Sequence, residues 1–99
     1  MANPGISGMT YARMRRAFGN GNLRRGRQIM EIIALRLEHA RTKHPVYAEG
    51  KYQALGVIAS EFRELEHAVE HESPARQFDE ALDVIATAVR FLNGEHEST

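Results

Sequence analysis

The sequence predicts an all-α fold, an antiparallel helical bundle completed by oligomerisation, and three observations carry that reading. Apolar residues recur at helical spacing in successive stretches, and no stretch has the strict alternation of a half-buried strand. The chain has 99 residues, which is one domain and a limited core. The last of the long helical stretches carries apolar residues on two faces, more than a single subunit core requires.

Residues 1–23 read as a basic, partly flexible arm. Within it, Thr10 can cap a short helix ending at Phe18, and Gly19-Asn20-Gly21 stops it. A helical domain follows over residues 24–94. Its first long helix runs over residues 24–43, with Ile29, Ile33, Leu37 and Ala40 at helical spacing, and His44-Pro45 ends it. The second runs over residues 49–70 with Tyr52, Leu55, Ile58, Ala59, Phe62, Leu65 and Val69 as its buried stripe. Ser73-Pro74 opens the third: serine caps, and proline is preorganised for the first turn. That helix carries Phe78, Ala81, Leu82, Ile85, Val89 and Leu92 on one face and Val84, Ala88 and Phe91 beside it. Asn93-Gly94 terminates it, and residues 95–99 read as a frayed tail.

Charge is unevenly spread. Residues 1–27 hold six arginines and no acidic residue, so the remainder carries −6 in a chain of zero net charge. Absence of cysteine excludes disulfides and thiolate metal sites. No apolar run reaches the roughly 18–20 residues that span a bilayer, and no apolar secretory block opens the chain. A cytoplasmic protein that does not enter the membrane is expected.

The acidic excess is organised. Glu61 and Glu64 stand three residues apart on the second helix, and Glu80 and Asp83 stand three apart on the third. Each pair therefore shares a helical face. Both pairs border the apolar stripe rather than opposing it. Like charges about 6 Å apart repel by roughly 3 kcal/mol at an effective dielectric near 20. Four facing carboxylates therefore call for a cation or for protonation of some of them, and Mg²⁺ suits such a site because it takes oxygen ligands while keeping waters that phosphates can replace.

Glu61-x-x-Glu64 followed by Glu80-x-x-Asp83 resembles the ExxE…ExxD signature of the all-α nucleoside triphosphate pyrophosphohydrolases, the MazG-like superfamily. "VIASEFRELEHAV" is similar to its first motif helix and "FDEALDVIATAVRFLNGE" to its second, and the likeness covers about residues 28–94. Ser60 departs from the pattern, since many relatives have a further glutamate there. The resemblance implies Mg²⁺-dependent cleavage of nucleoside triphosphates, whether dNTPs or noncanonical NTPs, to monophosphate and pyrophosphate. Glu61, Glu64, Glu80 and Asp83 would hold Mg²⁺, or Mn²⁺ in its place, and Glu61 or Glu64 would take the proton of the attacking water. Arg90, seven residues after Asp83, and Lys51 and Arg76 near helix starts are the candidate substrate-binding cations. The partners implied are a nucleoside triphosphate and further copies of the chain, in a homodimer or homotetramer.

Other readings compete with the enzyme. One is a non-catalytic helical interaction or nucleotide-binding module; another is a nucleic-acid-associated protein using the basic arm, which has few aromatics and no recognisable nucleic-acid motif. His67 and His71 have the i, i+4 spacing of a transition-metal pair, and Glu64-x-x-His67 is half of a di-iron element whose second half is missing. Exposed residues near a helix end are the simpler account of these histidines.

Overall fold

The computed structural model describes residues 11–18 and 23–97. The lead-in over residues 1–8, the Thr10 cap, the Gly19-Asn20-Gly21 break and the last two residues of the tail lie outside them. The described residues form helices α1 (Tyr11–Phe18), α2 (Leu23–Lys43), α3 (Lys51–His71) and α4 (Pro74–Leu92), with no strand among them. The chain divides into two compact units, residues 1–32 and 33–99. The first holds α1 and the beginning of α2; the second holds the rest of α2 with α3 and α4. Among the described residues no helix is long and apolar enough to cross a membrane.

Local chemistry fixes the helix ends. The α3 start falls two residues later than its apolar pattern suggests because Gly50 sits at φ +92°, a left-handed conformation that stops the helix there. No side chain caps α3 at Gly50; instead the Glu49 N–H donates to the Gln53 side-chain oxygen. At α4, Ser73 Oγ accepts from Arg76 N at 3.3 Å, and Pro74 takes the first turn. Gly94, at φ +72°, ends α4, with its N–H donating to the Phe91 carbonyl at 3.0 Å.

The very short link between α3 and α4 makes them antiparallel neighbours. Ala54 and Ala68 of α3 are buried in this pair, as are Leu82 and Ala86 of α4. Among the described residues no large side chain is fully buried. Residues 33–43 of α2 join this pair through long polar side chains. Arg36 donates to Asp83 at 2.8 Å and to Asp79 at 3.1 Å, and Arg41 Nη2 donates to Glu95 at 2.6 Å.

Two expectations need correcting. The stripe expected to be buried on α3 is exposed in the single chain at Tyr52, Leu55, Phe62 and Val69, as is the α4 stripe at Phe78, Ile85 and Leu92. The reason is steric: close approach of two helices selects the alanine-bearing faces, which turns the bulky residues outward. Residues 95 and 96 are not loose either. Glu95 accepts from Arg41, Arg90 and Asn93, and the buried His96 stacks on Phe91 at 4.4 Å while its carbonyl accepts from Gly50 N.

Candidate metal centre

Helical spacing sets Glu61 and Glu64 on one face of α3, and antiparallel pairing brings Glu80 of α4 to them. One carboxylate oxygen from each of Glu61, Glu64 and Glu80 lies within 4.8 Å of the others. Two full charges at that separation repel by about 3.5 kcal/mol at an effective dielectric near 20. The surrounding cations relieve only part of this. Arg76 Nη2 donates to Glu80 Oε1 at 2.7 Å, and Arg36 covers Asp83. Glu61 and Glu64 have no ion-pair partner among the described residues.

Burial sharpens the conflict. Glu80 is only 7% exposed, and its Oε2 is buried without a hydrogen-bond partner; Glu61 Oε2 is in the same condition. Burial first, and then the neighbouring carboxylates Glu64 and Asp83, push the Glu61 carboxyl up to about 7. Burial and Glu64 raise Glu80 as well, against the opposing pull of Arg76. Unpartnered oxygens in a convergent, all-carboxylate set fit a hard divalent cation, which would satisfy the lone pairs and cancel the repulsion together. The three glutamates could hold a metal ion.

Asp83 stands at the edge of the set, with Oδ1 accepting from Arg36 Nη1. Beside it opens a cleft of about 490 Å³, bounded by Arg36 and Lys43 of α2, Glu61 and Glu64 of α3, and Thr87 and Arg90 of α4. Val46, Tyr47, Val57 and Ala86 give it an apolar wall. Tyr47 is fixed there: its hydroxyl donates to the Thr87 carbonyl at 2.8 Å, and the Arg90 guanidinium lies 5.0 Å from its ring centre.

The candidate substrate cations are placed very differently. Arg90 borders the cleft but is 3% exposed, with Nε donating to Glu95 at 2.8 Å. Arg76 spans Glu72, Asp79 and Glu80 and touches the acidic set directly. Lys51 is exposed over the Tyr52 ring at 5.3 Å and lines neither this cleft nor the cavity bounded by Ser60, Arg63, Glu64, His67, Glu72, Arg76 and Glu80. His67 and His71 are exposed, 4.9 Å apart and tilted; among the described residues they join no convergent ligand set.

Sequence reasoning passed over Arg36 and Glu95. Arg36 has no local signal, because its partners lie 43 and 47 residues away. Glu95 stands just past a helix terminator, where a loose tail is the usual outcome, yet the Arg41 guanidinium, helped by Asn93 and Arg90 and opposed by burial, holds its carboxyl down at about 2. No protein-family model, curated protein or solved structure matches the chain.

Proposed function

We propose that the protein is a Mg²⁺-dependent nucleoside triphosphate pyrophosphohydrolase of the MazG-like kind, acting on dNTPs or noncanonical NTPs in the cytoplasm. The observation that carries this reading is the convergence of Glu61, Glu64 and Glu80 within 4.8 Å, with two of their oxygens buried and unpartnered. Asp83 completes the set once Arg36 yields its Oδ1. A bound Mg²⁺, or Mn²⁺ in its place, would supply neutralisation of the phosphates and polarisation of the bond to be cut.

The chain's own residues do the rest. The oxygen of a water bonds to the α-phosphorus and the bridging P–O bond to the β-phosphate breaks, its electron pair leaving on pyrophosphate. Glu61 or Glu64 takes the water's proton. The apolar wall of Val46, Val57 and the fixed Tyr47 suits the flat face of a nucleobase, directly beside the carboxylates.

The same reading includes a second copy of the chain. Leu55, Phe62 and Val69 recur every seven residues on α3, and Phe78, Ile85 and Leu92 do so on α4; all six are exposed. Burying each would contribute about 1.5 kcal/mol or more. Heptad-spaced apolar seams on an antiparallel pair suit a four-helix interface in a homodimer or homotetramer.

The test is incubation of the protein and Mg²⁺ with a panel of canonical and modified nucleoside triphosphates. Pyrophosphate and monophosphate should appear in equal amounts, and Glu61→Gln and Asp83→Asn should each lower kcat by about a hundredfold or more. Nucleotide binding without release of pyrophosphate would instead identify a non-catalytic module.

A further inference from the structure

The compact unit of residues 1–32 stands apart from the carboxylate site in chemistry. None of its described residues belongs to the three-glutamate set or lines the cleft beside it. It holds six arginines and no lysine against a single acidic residue, Glu31, a net charge of +5.

Elsewhere in the chain arginines are engaged. Arg36, Arg41, Arg76 and Arg90, four of the five arginines after residue 32, each pair with a carboxylate. In the first unit, Arg13 and Arg16 on α1 and Arg25 on α2 are exposed, and among the described residues none of the three has an ion-pair partner. Arg13 and Arg16 stand three positions apart on one helical face, so two like charges are neighbours on a helix of only eight residues. Neither α1 nor α2 has an acidic residue in its first turn to offset them. These charges oppose the helices that carry them, and an external anion would relieve the conflict.

We propose that the first unit is a nucleic-acid-binding surface, with Arg13, Arg16 and Arg25 contacting the phosphate backbone of DNA or RNA. Guanidinium forks match phosphate oxygens in shape as well as charge, which suits a unit that uses arginine alone. Backbone contacts carry no sequence information, so binding of this kind needs no base-reading motif and is independent of sequence. A phosphate backbone at Arg13 and Arg16 responds to charges within about 10 Å of it at 0.1 M salt, not to the chain's total of zero. A membrane surface is the poorer fit: α1 has two turns, and the arginines of α2 precede the apolar run that begins at Ile29. The surface uses no metal and does not depend on the pyrophosphohydrolase reading.

The test is fluorescence anisotropy of the full chain with a labelled 20-base-pair DNA duplex and a labelled 20-nucleotide single strand, in EDTA. The chelator keeps the carboxylates from bridging to phosphate through a metal. Three phosphate contacts give a slope of log affinity against log salt of about −2.7 on the duplex, so affinity should fall about fortyfold or more between 50 and 200 mM salt. The triple variant Arg13→Gln, Arg16→Gln, Arg25→Gln should bind at least tenfold more weakly at 50 mM and lose that part of the slope. Arg63→Gln, which removes an exposed arginine of the other unit, should stay within about twofold of the parent. No binding to either probe at 50 mM salt, equal binding by the parent and the triple variant, or an equal loss in Arg63→Gln overturns the proposal. So does binding to phosphatidylserine–phosphatidylcholine vesicles with none to the oligonucleotides, which would assign the unit to a membrane surface.

Discussion

Arg76 holds one oxygen of Glu80 at 2.7 Å while the other oxygen of the same carboxylate is buried without a partner. The arginine thus fixes the orientation of a group whose free lone pairs point among Glu61 and Glu64. Glu80→Gln keeps the shape, and its amide oxygen can still accept from Arg76, but it removes one charge from the set. In the absence of divalent cations this variant should be as stable as the parent or more so. The parent's gain in Tm on adding Mg²⁺, worth about 2.7 kcal/mol at a hundred times Kd, should be largely lost. Thermal melts of both proteins with and without Mg²⁺ check this.

The raised carboxyl of Glu61 gives a pH dependence of definite sign. Its folded value of about 7 lies above its ordinary value of 4.5. Between those values the folded state binds more protons than the unfolded chain, so metal-free stability falls as pH rises from about 4.5 to about 7. Stabilisation by Mg²⁺ should grow over the same window, because the cation competes with that proton. Melts at pH 5, 6, 7 and 8 should show the two Tm curves diverging upward in pH. Parallel curves contradict the coupling.

Glu95 has the opposite sign. Its carboxyl is held down at about 2, chiefly by Arg41, so its contribution to stability is complete above about 4.5 and disappears as pH falls through about 2. Removing it strands Arg90, which is 3% exposed. Glu95→Ala should cost about 3 kcal/mol in urea denaturation, the scale of a buried cation losing its partner. A cost below about 0.5 kcal/mol would mean that Glu95 does not anchor α4.

The exposed seams predict self-association. Phe62→Lys or Ile85→Lys places a charge in the centre of a heptad-spaced row without touching the buried alanines. Light scattering should find the parent as a dimer or tetramer and either variant as a monomer of lower Tm. A monomeric parent with unchanged Tm in the variants contradicts the assembly.

Much of this was legible in the sequence because helices are local objects. Ser73-Pro74 and Asn93-Gly94 mark α4 within one residue, and the i, i+3 spacing placed Glu61 with Glu64 before any packing was known. Which helix face turns inward was not legible. Apolar periodicity favours the stripe of Leu55, Phe62 and Val69, but close approach of α3 and α4 favours Ala54 and Ala68, and only the three-dimensional contact decides. The Arg36 bridge to Asp79 and Asp83 was equally hidden, since no spacing rule links residues more than forty positions apart. Arg90 shows the limit of helical projection: it shares a face with Asp83 as expected, yet Glu95 claims its Nε.

If Glu61, Glu64 and Glu80 bind one divalent cation in concert, titration with Mn²⁺ followed by electron paramagnetic resonance will show it. The parent should bind Mn²⁺ in a form that Mg²⁺ displaces, and Glu64→Gln, which leaves every ion pair of the set in place, should bind about tenfold more weakly or worse. Equal Mn²⁺ binding by the two proteins, or none by the parent at millimolar ion, would mean that the three glutamates are not a metal site.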